Sequence, residues 1–395
     1  SDGRLRGAKS GQWWVDNGQR ALANNSACYT ERPEFSFYLD EMRALYESKS
    51  GERGVFSRVA AQNVAGRNGR REKDHDFGTN PCSEIILRPY QFCNLSEVVV
   101  RENDTKKDIQ RKVELATILG TWQSTLTDFK YLRKIWKDNT EEERLLGVSL
   151  TGQFGHKFMS GKEDIVMLEA FLMTLREKAR EVNKEESGKI GIPESAAITC
   201  VKPSGTVSQL VGVSSGMHAW HSPYYIRTVR GAKGDPISTF LKEVGIPVED
   251  DVMKPNDTYV FSFPIKAPEG AIVRNDLTAI EHLNIWLVYQ RAWCEHKPSI
   301  TVSVKEDEWM EVGAWVYKHF DEVSGISFLP HSDHSYKQAP YQEVDRAEYD
   351  ALVSKMPKEI RWEDLSFYET EDGTSTNATL ACTSDGNCEI VDISA

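Results

Sequence analysis

The sequence lacks the features that would place the chain in a membrane or mark it for secretion. It has no stretch of roughly 18 apolar residues free of charge, the minimum for a membrane-spanning helix. The residues that follow Ser1 lack the apolar core of a signal peptide. Seven cysteines, an odd number in 395 residues, argue against a secreted disulfide framework. We therefore expect a cytoplasmic protein with no membrane partner, in which some thiols serve chemistry.

The chain also lacks an excess of basic residues. It has 48 lysines and arginines against 60 aspartates and glutamates, a net charge of −12. Such a surface repels phosphate backbones, so the composition argues against broad nucleic-acid binding. An acidic protein that binds nucleotides must concentrate its basic groups and helix N-termini locally. We interpret the basic runs at 67–73 and 106–112 as solvated loop and helix faces.

The pattern of apolar residues favours an α/β protein. Hydrophobic residues make up 39% of the chain, enough for a large core. Beyond residue 236, predicted helices (237–244, 277–295, 306–320) alternate with predicted strands (259–263, 299–304, 325–329). Earlier segments predict helices at 35–49, 106–129 and 163–184, and a strand at 92–100. The alternation is typical of an α/β layer protein or barrel. The polar range 51–78 has too little apolar content for a buried element.

A thiol, a carboxylate and an amide lie within five residues at 80–84. Asn80, Cys82 and Glu84 alternate, so on an extended loop their side chains project to one side. A radical enzyme that attacks a sugar needs this set. A sulfur radical removes a hydrogen atom, a carboxylate takes the neighbouring hydroxyl proton, and an amide holds the substrate oxygen. The alternative interpretation is a surface turn with an incidental cysteine.

A second cysteine makes the pattern specific. Cys93 lies eleven residues after Cys82 and is followed by a strand-like run. The stretch 80–95, including this spacing, resembles the active-site segment of ribonucleotide reductases. The resemblance implies part of a ten-stranded α/β barrel whose central finger loop, around 78–95, carries the radical cysteine.

The same resemblance implies the roles of the residues. Cys82 becomes a thiyl radical, Glu84 acts as general base, and Asn80 fixes the substrate. Cys93 is one half of a dithiol that reduces the substrate. The implied reaction is the reduction of ribonucleotides to 2′-deoxyribonucleotides.

Three further segments, 221–230, 295–303 and 324–331, look like the monomeric, adenosylcobalamin-dependent (class II) ribonucleoside-triphosphate reductases. This resemblance implies adenosylcobalamin as cofactor and triphosphates as substrates. The oxygen-dependent class uses a tyrosine relay, to which the pair Tyr224 and Tyr225 is superficially similar. Its flanking sequence differs, and we interpret the pair as core or barrel wall. No residue pattern identifies the cobalamin contacts, and we predict no metal ligands.

A turn signal follows the short apolar run 196–201. Its small residues and exposed backbone N–H groups, before a helix start, suit phosphate oxygens. A plain turn is the alternative. In the family this motif binds the substrate phosphates, which implies that role for Pro203, Ser204, Gly205 and Thr206.

The range 369–395 is rich in Thr, Ser, Asp and Gly, and we expect a flexible tail. Its two cysteines, Cys382 and Cys388, can exchange with a buried disulfide and carry its oxidation to solution. A metal site or idle thiols are the alternatives. The family uses such a pair as a shuttle that a thioredoxin-like protein reduces.

The family places the partner of Cys93 far upstream, in an early barrel strand. Only Cys28 precedes Cys82 here, and its surroundings do not match. We therefore expect a preceding segment to hold the first barrel strands and the allosteric region, and residues 1–368 to form the C-terminal part of the barrel. Cys28, Cys200 and Cys294 are expected in the core. A reductase with a partner-derived radical and a non-catalytic nucleotide-binding fragment stay open as alternatives.

Overall fold

The computed structural model describes residues 3–11, 13–22, 26–48, 53–331, 337–369, 378–382 and 388–392. The helices are α1 Gly3–Arg6, α2 Trp13–Asp16, α3 Phe35–Ser48, α4 Arg58–Arg67, α5 Lys106–Gln123, α6 Lys134–Glu143, α7 Ile165–Ile190, α8 Thr206–Val211, α9 Pro236–Glu243, α10 Ala279–Ala292, α11 Trp309–Lys318 and α12 Arg346–Val353. Short 3₁₀ turns occupy Gly18–Leu22, Gln153–Gly155 and Trp362–Phe367. The strands are β1 Ser26–Tyr29, β2 Gly54–Ser57, β3 Gly78–Thr79, β4 Ile86–Leu87, β5 Asn94–Val99, β6 Leu146–Thr151, β7 Thr199–Cys200, β8 Tyr224–Ala232, β9 Val248–Asp250, β10 Thr258–Lys266, β11 Thr301–Val304, β12 Ser327–Pro330, β13 Tyr341–Glu343, β14 Ala378–Cys382 and β15 Cys388–Asp392. Within these ranges no helix has the length and hydropathy to cross a bilayer.

A row of parallel strands forms the wall on which the site is built. Strand β6 pairs in parallel with β5 on one side and β7 on the other. A parallel bridge between Val201 and Pro298 continues the row to β11, which pairs in parallel with β12. An antiparallel bridge between Val55 and Ile326 adds β2 and its parallel partner β1. The mixed α/β class is confirmed, while a closed ten-stranded barrel stays a prediction because the described strands form an open row.

A short antiparallel hairpin lies against this wall. Strands β3 and β4 pair with Gly78 opposite Leu87 and Thr79 opposite Ile86, which leaves residues 80–85 as the tip. Glycine at position 147 of β6 provides the contact surface. A Cβ there would lie 2.9 Å from Cδ1 of Ile85 and 2.5 Å from Cδ2 of Leu95. The absence of a side chain at Gly147 therefore lets the tip approach β5 and β6 closely.

Amphipathic helices cover the other face of the wall. Helix α7 buries Leu168, Leu172, Leu175 and Ala179, whose spacing of three and four places them on one face. It packs against α5 and α10 in the main hydrophobic core. Capping boxes begin α5 at Thr105 and α10 at Thr278, and each cap stabilises its helix by about 1 kcal/mol.

A second sheet stands apart from the wall. Its order is β13-β8-β10-β9, and every pairing in it is antiparallel. Tyr224 and Tyr225 lie on β8, and Tyr225 is buried with Trp220 and two alanines. The interpretation of this pair as core holds for Tyr225, but neither residue belongs to the row of parallel strands.

The range 51–78 corrects a sequence-based expectation. It was expected to hold no buried element, yet all four residues of β2 are buried and α4 buries Ala60, Ala61, Val64 and Ala65. Alanine and single valines carry a weak hydrophobic signal, but their small side chains let α4 pack closely. The prediction was wrong because short apolar stretches lie within a range that is polar overall.

Near the end of the chain, β14 and β15 form an antiparallel hairpin in which Cys382 and Cys388 are register partners. Their side chains lie outside what the structure describes. The predicted flexible tail at 369–395, its thiol shuttle and the division at residue 368 therefore stay predictions.

Candidate active site

The hairpin tip brings the predicted residues onto one tight turn. The N–H of Ser83 donates to the carbonyl of Asn80 at 2.9 Å, and the side-chain Oδ1 of Asn80 accepts from the N–H of Ile85 at 3.0 Å. Ser83 adopts a left-handed conformation with φ of 58°. The expectation of an extended loop was therefore wrong. Cys82 is half-buried on this turn, while Glu84 is only 2% exposed.

A segment more than 200 residues away fixes the tip from behind. The hydroxyl of Ser299 donates to the carbonyl of Cys82 at 2.5 Å. The backbone N–H of Lys297 donates to the carbonyl of Glu84 at 3.2 Å. The N–H of Ile86 donates to Nδ1 of His296 at 3.3 Å. The connection between α10 and β11 thus holds the hairpin tip at three backbone groups.

Cys93 stands immediately before β5, half-buried, and lines a cavity of about 650 Å³ with Phe92, Phe129 and Leu132. Burial raises the pKa of the Cys93 thiol, and the negative charge of Glu84 raises it further. The guanidinium of Arg71 acts in the opposite direction. The raised pKa favours the protonated form of the Cys93 thiol.

A buried ion pair supports the start of β5. Arg71 donates to both carboxylate oxygens of Glu143, at 2.9 and 3.0 Å, and the side chain of Arg71 is fully buried. Gln91 contacts both partners. Next to it, Arg70 binds the buried carboxylate of Glu295 at 2.7 Å. The interpretation of the run 67–73 as a solvated face was wrong, because its acidic partners come from distant segments.

The segment 203–206 forms a strained loop at the carboxyl end of β7. Ser204 and Gly205 have φ of 34° and 53°, and the N–H of Gly205 donates to Oγ of Ser215 at 3.0 Å. The hydroxyl of Ser204 donates to Glu97 of β5 at 2.5 Å. Nζ of Lys202 lies 3.9 Å from the same carboxylate. The loop is thus tied to the carboxyl end of β5 and carries a cation beside it.

The three cysteines at positions 28, 200 and 294 differ in burial. Cys200 and Cys294 are buried, as expected, and burial raises the pKa of each thiol. Cys28 was expected in the core but is exposed on β1, since it faces away from its buried neighbours Ala27 and Tyr29.

The sequence reasoning missed Lys297, which is fully buried at the tip and donates from Nζ to Oγ of Ser83 at 2.9 Å. It also missed the ion pair of Arg71 and Glu143. The signal that could have indicated Lys297 is weak: a lysine that directly precedes a proline and a strand. A buried lysine is rare, so its position suggests a role.

Curated proteins are similar to much of the chain. The adenosylcobalamin-dependent ribonucleoside-triphosphate reductase of Levilactobacillus brevis is 28% identical over 342 residues, 79% of this chain and 45% of that protein. The enzyme of the same name from Lactobacillus gasseri is 29% identical over 368 residues, 84% of this chain and 47% of its own. The enzyme of the same name from Euglena gracilis is 27% identical over 289 residues, which are 72% of this chain and 38% of that protein. The chain spans less than half the length of these relatives. No model of a known protein family matches it.

Solved structures agree with these similarities. The crystal structure of a B12-dependent (class II) ribonucleotide reductase superposes with a TM-score of 0.77, at 23% identity, over 94% of this chain and 54% of that one. The alpha subunit of a class Id ribonucleotide reductase from Actinobacillus ureae superposes with a TM-score of 0.50 at 14% identity. The superposition covers 78% of this chain and 65% of that one. The resemblance predicted from the motifs is therefore confirmed, in sequence by the curated relatives and in fold by the class II structure.

Proposed function

We propose that this chain, a relative of the adenosylcobalamin-dependent ribonucleoside-triphosphate reductases in sequence and fold, carries the radical site of an enzyme that reduces ribonucleotides to 2′-deoxyribonucleotides. The observation that supports the proposal is the hairpin tip. It holds the half-buried thiol of Cys82 two residues from the buried carboxylate of Glu84.

The proposed reaction uses the groups of this tip together with the thiol of Cys93. Cys82, as a thiyl radical, takes the hydrogen atom from the 3′-carbon of the ribose, and Glu84 accepts the proton of the 3′-hydroxyl. The 2′-hydroxyl then leaves as water, after taking a proton from the dithiol of which Cys93 is one half. The second hydrogen of that dithiol goes to the 2′-carbon as the two sulfurs join in a disulfide, and Glu84 returns its proton to the 3′-oxygen. Cys82 then returns a hydrogen atom to the 3′-carbon and is a thiyl radical again. Asn80 uses its carbonyl oxygen within the turn, which leaves its N–H groups for a substrate oxygen.

Adenosylcobalamin, when bound, would supply an organic radical by homolysis of its cobalt–carbon bond. The exposure of the two groups at the tip fits such a source. Cys82 is partly accessible, so its hydrogen atom can be removed from outside the wall, while Glu84 behind it is shielded from water. The alternative, a radical relayed from a partner subunit, lacks support from the tyrosine pair. Tyr225 is buried, with Tyr341 at a ring distance of 5.9 Å, in the antiparallel sheet.

We assign the substrate phosphates to the loop of Pro203, Ser204, Gly205 and Thr206. Its positive φ angles at Ser204 and Gly205 resemble those of anion-binding turns. Lys202 offers a cation next to the loop, which the carboxylate of Glu97 partly offsets. Triphosphates are the favoured substrates because the curated relatives are named for them.

The proposal includes partners for the thiols. The second half of the Cys93 dithiol would come from an upstream portion of the reductase, and β5, an end strand of the described row, offers an edge for it. Cys382 and Cys388 would reduce the resulting disulfide and pass its oxidation to a thioredoxin-like protein in the cytoplasm.

The test is turnover by the full-length protein with a ribonucleoside triphosphate, adenosylcobalamin and a dithiol reductant. The variant is Cys82→Ser, and Cys28→Ser is the control because it removes an exposed thiol outside the tip. Wild type and C28S should form deoxynucleotide, and C82S should form none. Full turnover by C82S would overturn the radical assignment. Turnover only with a radical-supplying subunit would favour the other class, and nucleotide binding without any reduction would favour a non-catalytic module.

A further inference from the structure

A buried lysine stands behind the hairpin tip, and the reaction described above does not use it. Lys297 is 0% exposed, and its Nζ donates to Oγ of Ser83 at 2.9 Å. Its backbone N–H donates to the carbonyl of Glu84 at 3.2 Å. One residue therefore holds two consecutive residues of the tip.

The space around this side chain is shaped to admit it. A Cβ on Gly325 would lie 3.0 Å from Cε and 3.2 Å from Nζ of Lys297, so a larger residue at 325 would displace the ammonium. Ser83 needs an anchor because its φ of 58° is a left-handed conformation, which is strained for a residue with a Cβ. A hydrogen bond from a charged donor is strong enough to offset that strain.

Lys297 and Glu84 are buried side chains of opposite sign at the same tip. A buried charge is unstable without an opposite charge nearby. Burial lowers the pKa of Lys297 to about 8, and Glu84 is the largest of the influences that raise it. Glu84 is 2% exposed, and its Oε2 has no hydrogen-bond partner in the described part of the chain. Hydrogen bonds within the described residues therefore leave this oxygen of the carboxylate without a donor.

We infer that Lys297 is a positioning residue for the radical site, which holds Ser83 in its left-handed turn and places a cation behind Glu84. The inference rests on the proposed function in one respect, that Glu84 serves as general base. Lys297 acts through these two residues of the tip.

The first test measures the protonation of Glu84 without any cofactor. Lys297→Met keeps an unbranched side chain, one heavy atom shorter, and removes the charge. At pH 7 the infrared spectrum of the full-length K297M protein should show the carbonyl stretch of an additional protonated carboxyl group. The band should be missing from wild type and from the double variant K297M/E84Q. A K297M spectrum identical to that of wild type would overturn the inference.

Ser299→Ala is the matched control, because it removes a neutral hydrogen bond from the same segment to the carbonyl of Cys82. It loosens the tip without removing a charge, so no new carboxyl band should appear. The same band in S299A would show that disturbance of the tip, rather than loss of the cation, protonates Glu84, and the electrostatic role would be refuted.

A second measurement applies even where K297M does not fold. Glu84→Gln keeps the shape of the side chain, and NMR of ¹³C-labelled lysine follows the titration of Lys297. The other titratable groups that face Lys297, the thiols of Cys82, Cys200 and Cys294, are retained. Loss of the carboxylate should lower the pKa of Lys297 by about one unit or more. An unchanged titration would contradict the inference.

Turnover separates the two proposals. If the wild-type protein forms deoxynucleotide, the acid limb of its pH profile should move to higher pH in K297M and stay in place in S299A. If the spectroscopic changes occur but wild type forms no product, the proposed function fails and the charge pairing stands. If wild type turns over and K297M has the same pH profile and infrared spectrum, the positioning role alone fails.

Discussion

Gly147→Ala tests whether the hairpin rests on β6 as the structure describes. The added Cβ would lie 2.9 Å from Cδ1 of Ile85 and 2.5 Å from Cδ2 of Leu95, whereas carbon atoms in contact are normally about 3.5–4.0 Å apart. Leu95 is 38% exposed and can rotate away. Ile85 is 1% exposed and directly follows Glu84, so it can retreat only by moving the tip.

The expected magnitude follows from these two contacts. An extra carbon in a packed site typically costs about 1–3 kcal/mol, and replacing glycine in a strand recovers about 0.5–1 kcal/mol. We therefore expect G147A to lose about 1–2 kcal/mol, a 5- to 30-fold change in the unfolding equilibrium. Turnover should fall by more than the small loss of folded protein explains, because the displaced residue, Ile85, is next to the proposed general base, Glu84.

A double-mutant cycle in urea unfolding, followed by tryptophan fluorescence, identifies the contact. Ile85→Val removes Cδ1, the atom that the new Cβ would meet. In the wild-type background it should cost about 0.5–1.5 kcal/mol, and in the G147A background it should be neutral or stabilising. Gly188→Ala is the control: no atom lies within 4 Å of its added Cβ in α7, so it should stabilise by about 0.5–1 kcal/mol. Additive losses in the I85V/G147A protein would refute the described packing.

Further predictions concern a buried ion pair, a buried histidine and the proposed phosphate loop. Arg71→Met should cost up to about 3–5 kcal/mol because it removes the hydrogen-bonded cation of the buried Glu143 and leaves it with Nε of Arg88 at 3.9 Å, and urea unfolding measures the loss. Burial raises the pKa of Glu143, but Arg71 and two hydrogen bonds outweigh it and the net pKa is lowered from 4.5. The pair therefore stabilises the fold fully above pH 4.5, and this contribution is lost as the pH falls below that value. In Glu143→Gln the free energy of unfolding should therefore fall less steeply on acidification than it does in the wild-type protein. Burial lowers the pKa of His282 to about 4, well below its unfolded value near 6.5. The unfolded chain gains a proton first as pH falls from about 6.5 to about 4, so stability should drop by about 1.4 kcal/mol per pH unit for this group, and His282→Asn should remove that slope in unfolding curves at pH 7 and pH 5. Gly216→Ala places a Cβ 2.4 Å from the carbonyl oxygen of Lys202 at φ of +49°, so it should distort the proposed phosphate loop and raise KM for the nucleotide at least tenfold, about 1.4 kcal/mol, with a smaller effect on kcat.

Periodic apolar residues made the second half of the fold predictable. The predicted helix at 277–295 is α10, Ala279–Ala292, and the predicted strand at 259–263 lies within β10, Thr258–Lys266. Local pattern is sufficient there because each element buries one face against the core. The motif at 80–84 likewise identified which chemical groups share the tip. Its conformation was not predictable, because a serine with φ of 58° is uncommon and leaves no trace in the sequence.

Buried charges were not predictable for a different reason. A run such as 67–73 has the same composition whether its arginines face water or distant carboxylates. Arg71 is paired with Glu143, 72 positions away, and Arg70 with Glu295, 225 positions away. Lys297 follows the same rule, since only the fold shows that it is buried against Ser83. Sequence pattern reports local periodicity, while charge pairing is decided by the tertiary contacts.

The radical motif is therefore local in chemistry but not in geometry. The five residues at 80–84 supply the thiol, the carboxylate and the amide, yet Ser83 and Cys82 are held by hydrogen bonds from partners 214 and 217 positions away. Closing loops of that length is slow relative to forming a hairpin, so we expect the tip to be ordered after the wall between β7 and β11 has formed. A substitution at Lys297 should thus disturb the proposed site although Lys297 lies outside the motif.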